Sequence, residues 1–181
     1  MVFEQKRFLL KDGRAAALRV PEPDDAAEML LYLKQTAAET EFVLRYPEEC
    51  VWTEEQERGL LEGFRNAPDS LMLACFVDGV LAGNCNLQIN PHIKDRHRGN
   101  VAIALRKAFW GRGIGTAMFQ EMIAVARARG VEQLELDYIE GNARARMLYE
   151  KMGFEQYAVH PDAIRLKDGS RRSLICMLKR L

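Results

Sequence analysis

The 181-residue chain lacks most of the features that would fix its class at once. It has only four cysteines, none in a C-x-x-C pair, and three scattered histidines, His92, His97 and His160. That spacing gives no zinc framework, and no metal site is expected. Cys75, Cys85 and Cys176 lie in strand-like apolar runs, so buried free thiols are expected and no disulfide. An excess of one charge is missing too. Twenty-six basic side chains balance 26 acidic ones, with a pI near 6.8, which offers no footprint for nucleic acid or an anionic membrane. No apolar run reaches the roughly 20 residues of a membrane helix. The apolar run in MVFEQKRFLL is too short for a signal peptide, so a cytoplasmic protein is expected. Repeats, low-complexity tracts and linkers are absent. With 48% hydrophobic and 29% charged residues, the composition predicts a single domain over residues 1–181.

What is present centres on Val101–Met118, VAIALRKAFWGRGIGTAM. Val101–Leu105 is a nearly continuous apolar run without helical period, as expected of a strand buried on both faces. Gly111, Gly113 and Gly115 follow. Ile114, Met118, Met122, Val125 and Ala126 then recur at helical spacing, which predicts a helix to about Arg129. The first turn of such a helix offers free backbone N–H groups and the positive end of the helix dipole, an anion site suited to phosphate. The spacing excludes two familiar loops. No lysine precedes Thr116, as a P-loop requires, and G-x-G-x-x-G fails at Thr116 from Gly111 and at Met118 from Gly113.

A second string lies downstream. QLELDYI (Gln133–Ile139) alternates like a strand, Gly141-Asn142 ends it, and Ala143–Met152 predicts a short helix closed by Gly153. The Gly113-x-Gly115 turn, together with Asn142-x-x-Ala145-x-x-Leu148-Tyr149-Glu150-Lys151-x-Gly153-Phe154, resembles the two acetyl-CoA motifs of the GNAT family of N-acetyltransferases. The N-terminal hairpin and the final hairpin around Lys167-Asp168-Gly169 look like those of the family's small-molecule amine and amino-acid acetyltransferases. One departure stands out: Trp110 occupies the position of the family's Gln or Arg.

The rest of the chain predicts strands at Phe8–Leu10 and Ala15–Val20 and a helix over Ala26–Ala38 capped by Asp24 or Asp25. A second helix follows the capping box Thr53-x-x-Gln56. Leu71–Val77 and Val80–Ile89 form a hairpin through Asp78-Gly79. Asn90–Asn100 reads as a polar link, and EQYAVH and RLKDGSRRSLICML as the last two strands. The resemblance covers about residues 14–181. It implies an α/β (α+β) GNAT fold: a mixed, mostly antiparallel sheet of six to seven strands, helices on both faces, and a splayed central parallel strand pair.

The resemblance also implies roles. Backbone around Leu105 would bind the pantetheine arm of acetyl-CoA. The amides of Arg112, Gly113, Ile114, Gly115 and Thr116 would hold the pyrophosphate, and Asn142 and Ala145 would complete the cofactor site. Tyr149 would protonate the departing thiolate. The family's glutamate position falls near Asn100, so the base is left among Asp137, Glu140, Glu39, Glu41 and His97. Glu39, Thr40, Phe42 and Tyr46 are expected to line the acceptor. The implied activity is acetyl transfer from acetyl-CoA to a primary amine of a small molecule, with no metal, in a protein whose exposed last hairpin can form a homodimer. The alternatives are a ribosomal-protein-type N-terminal acetyltransferase and a non-catalytic acyl-CoA-binding module.

Overall fold

A computed structural model describes residue 1 and residues 3–181. The elements run β1 (Lys6–Leu9), β2 (Ala15–Arg19), α1 (Ala26–Glu39), α2 (Glu54–Asn66), β3 (Ser70–Val77), β4 (Val80–Ile89) and β5 (Arg98–Leu105). There follow α3 (Ile114–Ala128), β6 (Gln133–Ile139), α4 (Ala143–Lys151), β7 (Glu155–Arg165) and β8 (Arg171–Arg180). The strands hydrogen-bond in the order β1-β2-β3-β4-β5-β6-β8-β7. Eight strands replace the six to seven expected, since both terminal hairpins join the sheet. The β5–β6 pair is parallel, as expected.

The chain groups into two compact units. The first holds residues 1–88 and 102–118. Its core is Ala26, Met29 and Tyr32 of α1, Leu61 of α2, Met72 and Ala74 of β3, and Leu81 of β4. The apolar face of α1 recurs at three- and four-residue spacing because only then do these side chains meet the sheet. Helix α2 starts as its sequence predicts: Thr53 accepts from the Gln56 N–H, and Gln56 returns the bond to the Thr53 N–H. At α1 the expected capping fails. Asp25 occupies the N-cap position without a side-chain cap bond, because its carboxylate is taken by a bidentate pair with Arg19 at 2.6 and 2.8 Å.

The second unit holds residues 89–101 and 119–181. Phe119 and Met122 of α3, Leu134 of β6, Tyr149 of α4, Phe154 and Met177 of β8 are buried there. Phe119, Tyr149 and Phe154 meet edge to face, with Phe119 5.5 Å from Tyr149 and 5.6 Å from Phe154. Helix α4 closes on a Schellman motif. Phe154 N–H donates to Tyr149 O and Gly153 N–H to Glu150 O, both at 2.9 Å. That closure sets Tyr149 and Phe154 side by side.

Two expectations for β5 are corrected. The strand begins at Arg98 rather than after a polar link ending at Asn100. Its first three residues pair with Gln133–Glu135 of β6, and Arg98 grips Glu135 through two bonds of 2.6 and 2.7 Å. This bidentate pair turns polar residues into strand. Nor is β5 buried on both faces: Ala102 is exposed and Ile103–Leu105 are half-buried. The register with β6 ends at Asn100–Glu135, so the second half of the strand has no β6 partner to cover it.

Candidate active site

In the first unit the site is built on the far end of β5. Arg106 N–H donates to Ala82 O at 2.9 Å. In an antiparallel ladder that makes Leu105 and Gly83 a non-hydrogen-bonded pair, so the Leu105 N–H and C=O point away from β4. Glycine at position 83 is dictated by this approach. A Cβ there would lie 2.6 Å from Ala104 O and would also strike the Leu105 side chain. The Leu105 carbonyl is already used: it accepts the Trp110 indole N–H at 2.8 Å. Trp110, the departure from the family pattern, therefore fixes the turn that leaves β5, and the Leu105 N–H remains for a ligand.

A hydroxyl is wedged into the same ladder. The Tyr32 oxygen accepts from Asn84 N–H at 3.3 Å and lies 2.8 Å from both Ala104 O and the Asn84 side-chain oxygen. Burial pushes the Tyr32 pKa up, so the hydroxyl stays a donor. Glu39, at the end of α1, accepts the Lys107 N–H at 2.5 Å and the Gln35 side-chain N–H at 2.9 Å. Of the residues expected to line an acceptor, Glu39 is thus tied to the chain just past β5. Thr40 caps its own turn by accepting the Phe42 N–H at 3.2 Å.

The glycine turn follows. Gly113 has φ +97°, a conformation open to glycine and costly for other residues, and it hands the chain into α3 by accepting Ala117 N–H at 3.1 Å. Ile114 and Gly115 are buried in the first turn, so only their backbone faces a ligand; Thr116 is half-buried. Gly115 carries no positive φ. Arg112 does not project freely. Its guanidinium pairs with Asp12 of the β1–β2 turn and donates from Nε to Ala108 O at 3.1 Å, while its carbonyl accepts Lys11 N–H at 3.2 Å. No local pattern signals this clasp, because its partners lie a hundred residues apart.

In the second unit Asn142 caps α4: its side-chain oxygen accepts the Ala145 N–H at 3.1 Å. The amide nitrogen of Asn142 is what remains for a ligand, and Ala145 contributes to the cap. Tyr149 is 6% exposed among Phe119, Tyr138 and Phe154. Burial, reinforced by the negative charge of Asp137 and by Tyr138, pushes its pKa up, which keeps the phenol protonated.

Residues 31–154, more than half of the chain, match the Acetyltransferase (GNAT) family. The chain belongs to that family. GNAT relatives with curated functions match in part. A mycothiol acetyltransferase of Beutenbergia cavernae is 57% identical over 51 residues, 28% of this chain and 17% of the relative. A ribosomal protein bS18-alanine N-acetyltransferase of Haemophilus ducreyi is 29% identical over 75 residues, 41% of this chain and 52% of the relative. The chain thus spans about half or less of the length of these two relatives. Solved GNAT structures match over nearly their whole length. An acetyltransferase from Streptococcus pneumoniae superposes at TM-score 0.85 and 27% identity, over 92% of this chain and 99% of the other. A Salmonella typhimurium protein solved with acetyl-CoA shares the fold at TM-score 0.78 and 18% identity, over 92% and 94% of the two chains.

Within this GNAT chain two of the five candidate bases have engaged carboxylates. Glu140 accepts Ser173 N–H at 3.2 Å, and Glu39 holds Lys107. Asp137 and Glu41 are exposed, and His97 contributes its backbone oxygen to Glu132 and Gln133. The sequence also concealed Glu57 of α2, which is 1% exposed with one carboxylate oxygen unpartnered. Burial pushes its pKa up, against the pull of Arg45. Among the described residues no group of three or more His, Cys, Asp and Glu is placed to hold a metal ion. No helix is long and apolar enough to cross a membrane.

Proposed function

We propose that the chain is an N-acetyltransferase that moves an acetyl group from acetyl-CoA to a primary amine of a small molecule. It works as a single catalytic domain in the cytoplasm. The observation that carries this reading is the backbone path from the open edge of β5 at Leu105 to Gly113 and the first turn of α3, where the N–H groups of Gly113–Thr116 suit a pyrophosphate. Leu105 N–H binds the pantetheine arm as an added strand is bound at a sheet edge. Arg112 acts mainly by holding the turn, through Asp12, and Asn142 offers its amide N–H to the cofactor.

The amine nitrogen attacks the thioester carbonyl directly. A C–N bond forms, the C–S bond breaks, and the sulfur leaves with the proton of the Tyr149 phenol; the proton given up by the attacking nitrogen passes to solvent, and solvent returns one to the Tyr149 phenolate. Burial holds the Tyr149 phenol in its protonated form until the thiolate appears. The small-molecule acceptor is supported by the mycothiol acetyltransferase relative, the most alike per residue of those described. A protein N-terminus is the second reading, favoured by the ribosomal-protein relative.

The test is thermal stability with and without acetyl-CoA, followed by thiol release against a panel of L-methionine, L-alanine, glucosamine, spermidine and an alanyl tetrapeptide. At 100 times its dissociation constant a ligand of the folded state adds about 2.7 kcal/mol, so a clear upward shift is expected, with release on a small amine. Release on the tetrapeptide alone selects the second reading. No shift overturns the donor site. Tyr149→Phe is expected to lower kcat while leaving the acetyl-CoA shift in place; unchanged turnover across pH removes the proton-donor role.

A further inference from the structure

In the first unit one side chain on β4 is placed to meet an acceptor. Along β4, Cys85 and Leu87 are buried on one face, while Asn84 and Asn86 alternate with them on the other and are half-buried. Asn84 has a polar neighbour, since its side-chain oxygen lies 2.8 Å from the Tyr32 hydroxyl. Asn86, one pleat further on, differs: its side-chain oxygen is buried with no hydrogen-bond partner. Such a group is costly to bury, and an apolar residue facing Met72 across the β3–β4 pair would avoid the cost.

The neighbouring strand leaves room at this point. Arg106 N–H bonds Ala82 O at one end of the β4–β5 ladder, and Asn90 N–H bonds Arg98 O at the other. Both bonds have the same register, which sets Asn86 opposite Ala102. Ala102 is exposed and offers only a methyl, so the sheet face beside Asn86 is open. Ala102 also lies three residues back along β5 from Leu105. A donor that starts at the Gly113 turn and runs back past Leu105 brings its reacting end level with this pair.

We propose that Asn86 seats the acceptor, its side-chain oxygen taking a hydrogen bond from the attacking nitrogen of a primary amine. The inference rests on the donor reading of β5 and adds the residue that selects the acceptor. An amide suits the task. It accepts from an amine N–H as a carboxylate does, but it carries no negative charge to hold the nitrogen as ammonium, the form that cannot attack. Asn86 is thus a positioning contact rather than a base.

Asn86→Ala and Asn86→Asp test this with the panel amine that is turned over fastest. In Asn86→Ala the acceptor KM is expected to rise tenfold or more, with the acetyl-CoA KM and thermal shift unchanged within twofold. In Asn86→Asp the acidic limb of kcat/KM is expected to move to higher pH, because a carboxylate there stabilises the ammonium. A merely structural amide would move neither the KM split nor the pH limb. In the wild-type protein saturated with CoA, the Asn86 side-chain amide resonance should shift on adding that amine. An unchanged acceptor KM in Asn86→Ala, or a resonance unmoved by every panel amine, overturns the proposal while an acetyl-CoA shift keeps the donor reading standing. No acetyl-CoA shift fails both together.

Discussion

Single side chains in this protein are held in protonation states set by burial. Glu57 is the clearest case. Its folded pKa lies above the ordinary glutamate range because desolvation penalises the carboxylate, so the folded state binds the proton more tightly than the unfolded one. Stability from this group is therefore present at acid pH and lost as pH rises out of the ordinary glutamate range. Glu57→Gln is expected to raise the melting temperature at pH 8 and to make little difference near pH 4; a larger gain in acid than in base would refute the assignment. Cys75 follows the same rule: burial lifts its thiol to about 12, which leaves it unreactive in an apolar run. Tyr32→Phe removes the hydroxyl between Asn84 N–H and Ala104 O and leaves both without that partner. A loss of about 1–3 kcal/mol is expected in urea unfolding, with weaker acetyl-CoA binding because the end of β5 is no longer pinned.

At the scale of elements, β5 does two jobs in its two halves. Arg98–Asn100 are locked to β6 by backbone register and by the Arg98–Glu135 pair, whose hydrogen bonds hold the Glu135 pKa below its usual range. Ala102–Leu105 are released from that partner and instead pressed against β4 at Gly83. Gly83→Ala places a methyl 2.6 Å from Ala104 O, backbone that cannot yield as a flexible side chain would. Overpacking of this kind costs about 1–3 kcal/mol. A lowered urea midpoint together with a reduced acetyl-CoA thermal shift is expected, and wild-type values in both would show that the strands part without harm. The β1–β2 turn belongs to the same construction. Asp12 pairs with Arg112 and also with Arg14 at 3.1 Å, and Arg14 lies 5.6 Å from the Phe109 ring centroid. The first hairpin thereby buttresses the glycine turn.

For the whole molecule, charge balance governs behaviour in solution. With 26 charges of each sign and a pI near 6.8, the protein carries almost no net charge at neutral pH. Association and precipitation are favoured where net charge vanishes. The concentration of polyethylene glycol that precipitates the protein is expected to pass through a minimum between pH 6.5 and 7, roughly at the pI, and to rise on either side. A flat profile would mean that apolar surface, not charge, limits solubility.

Local physics determined much of this protein directly from the sequence. The Thr53 capping box, the Asp78-Gly79 turn, the Gly113 turn into α3 and the closure of α4 at Gly153 all formed where short-range rules put them. Each depends on residues within a few positions of one another. The two motifs at Gly113–Gly115 and Asn142–Phe154 likewise sufficed to indicate the family, because they are contiguous. What only the tertiary structure decided are the contacts between distant segments. These include Tyr32 wedged between Asn84 and Ala104, Asp12 against Arg112, Trp110 turning back on Leu105, and Gly83 flattened for a strand some twenty residues on. The burial of Glu57 and the orphaned oxygen of Asn86 belong with them. Solvent exclusion is a property of the assembled layers, and no pattern along a single helix or strand records which polar atom they will enclose.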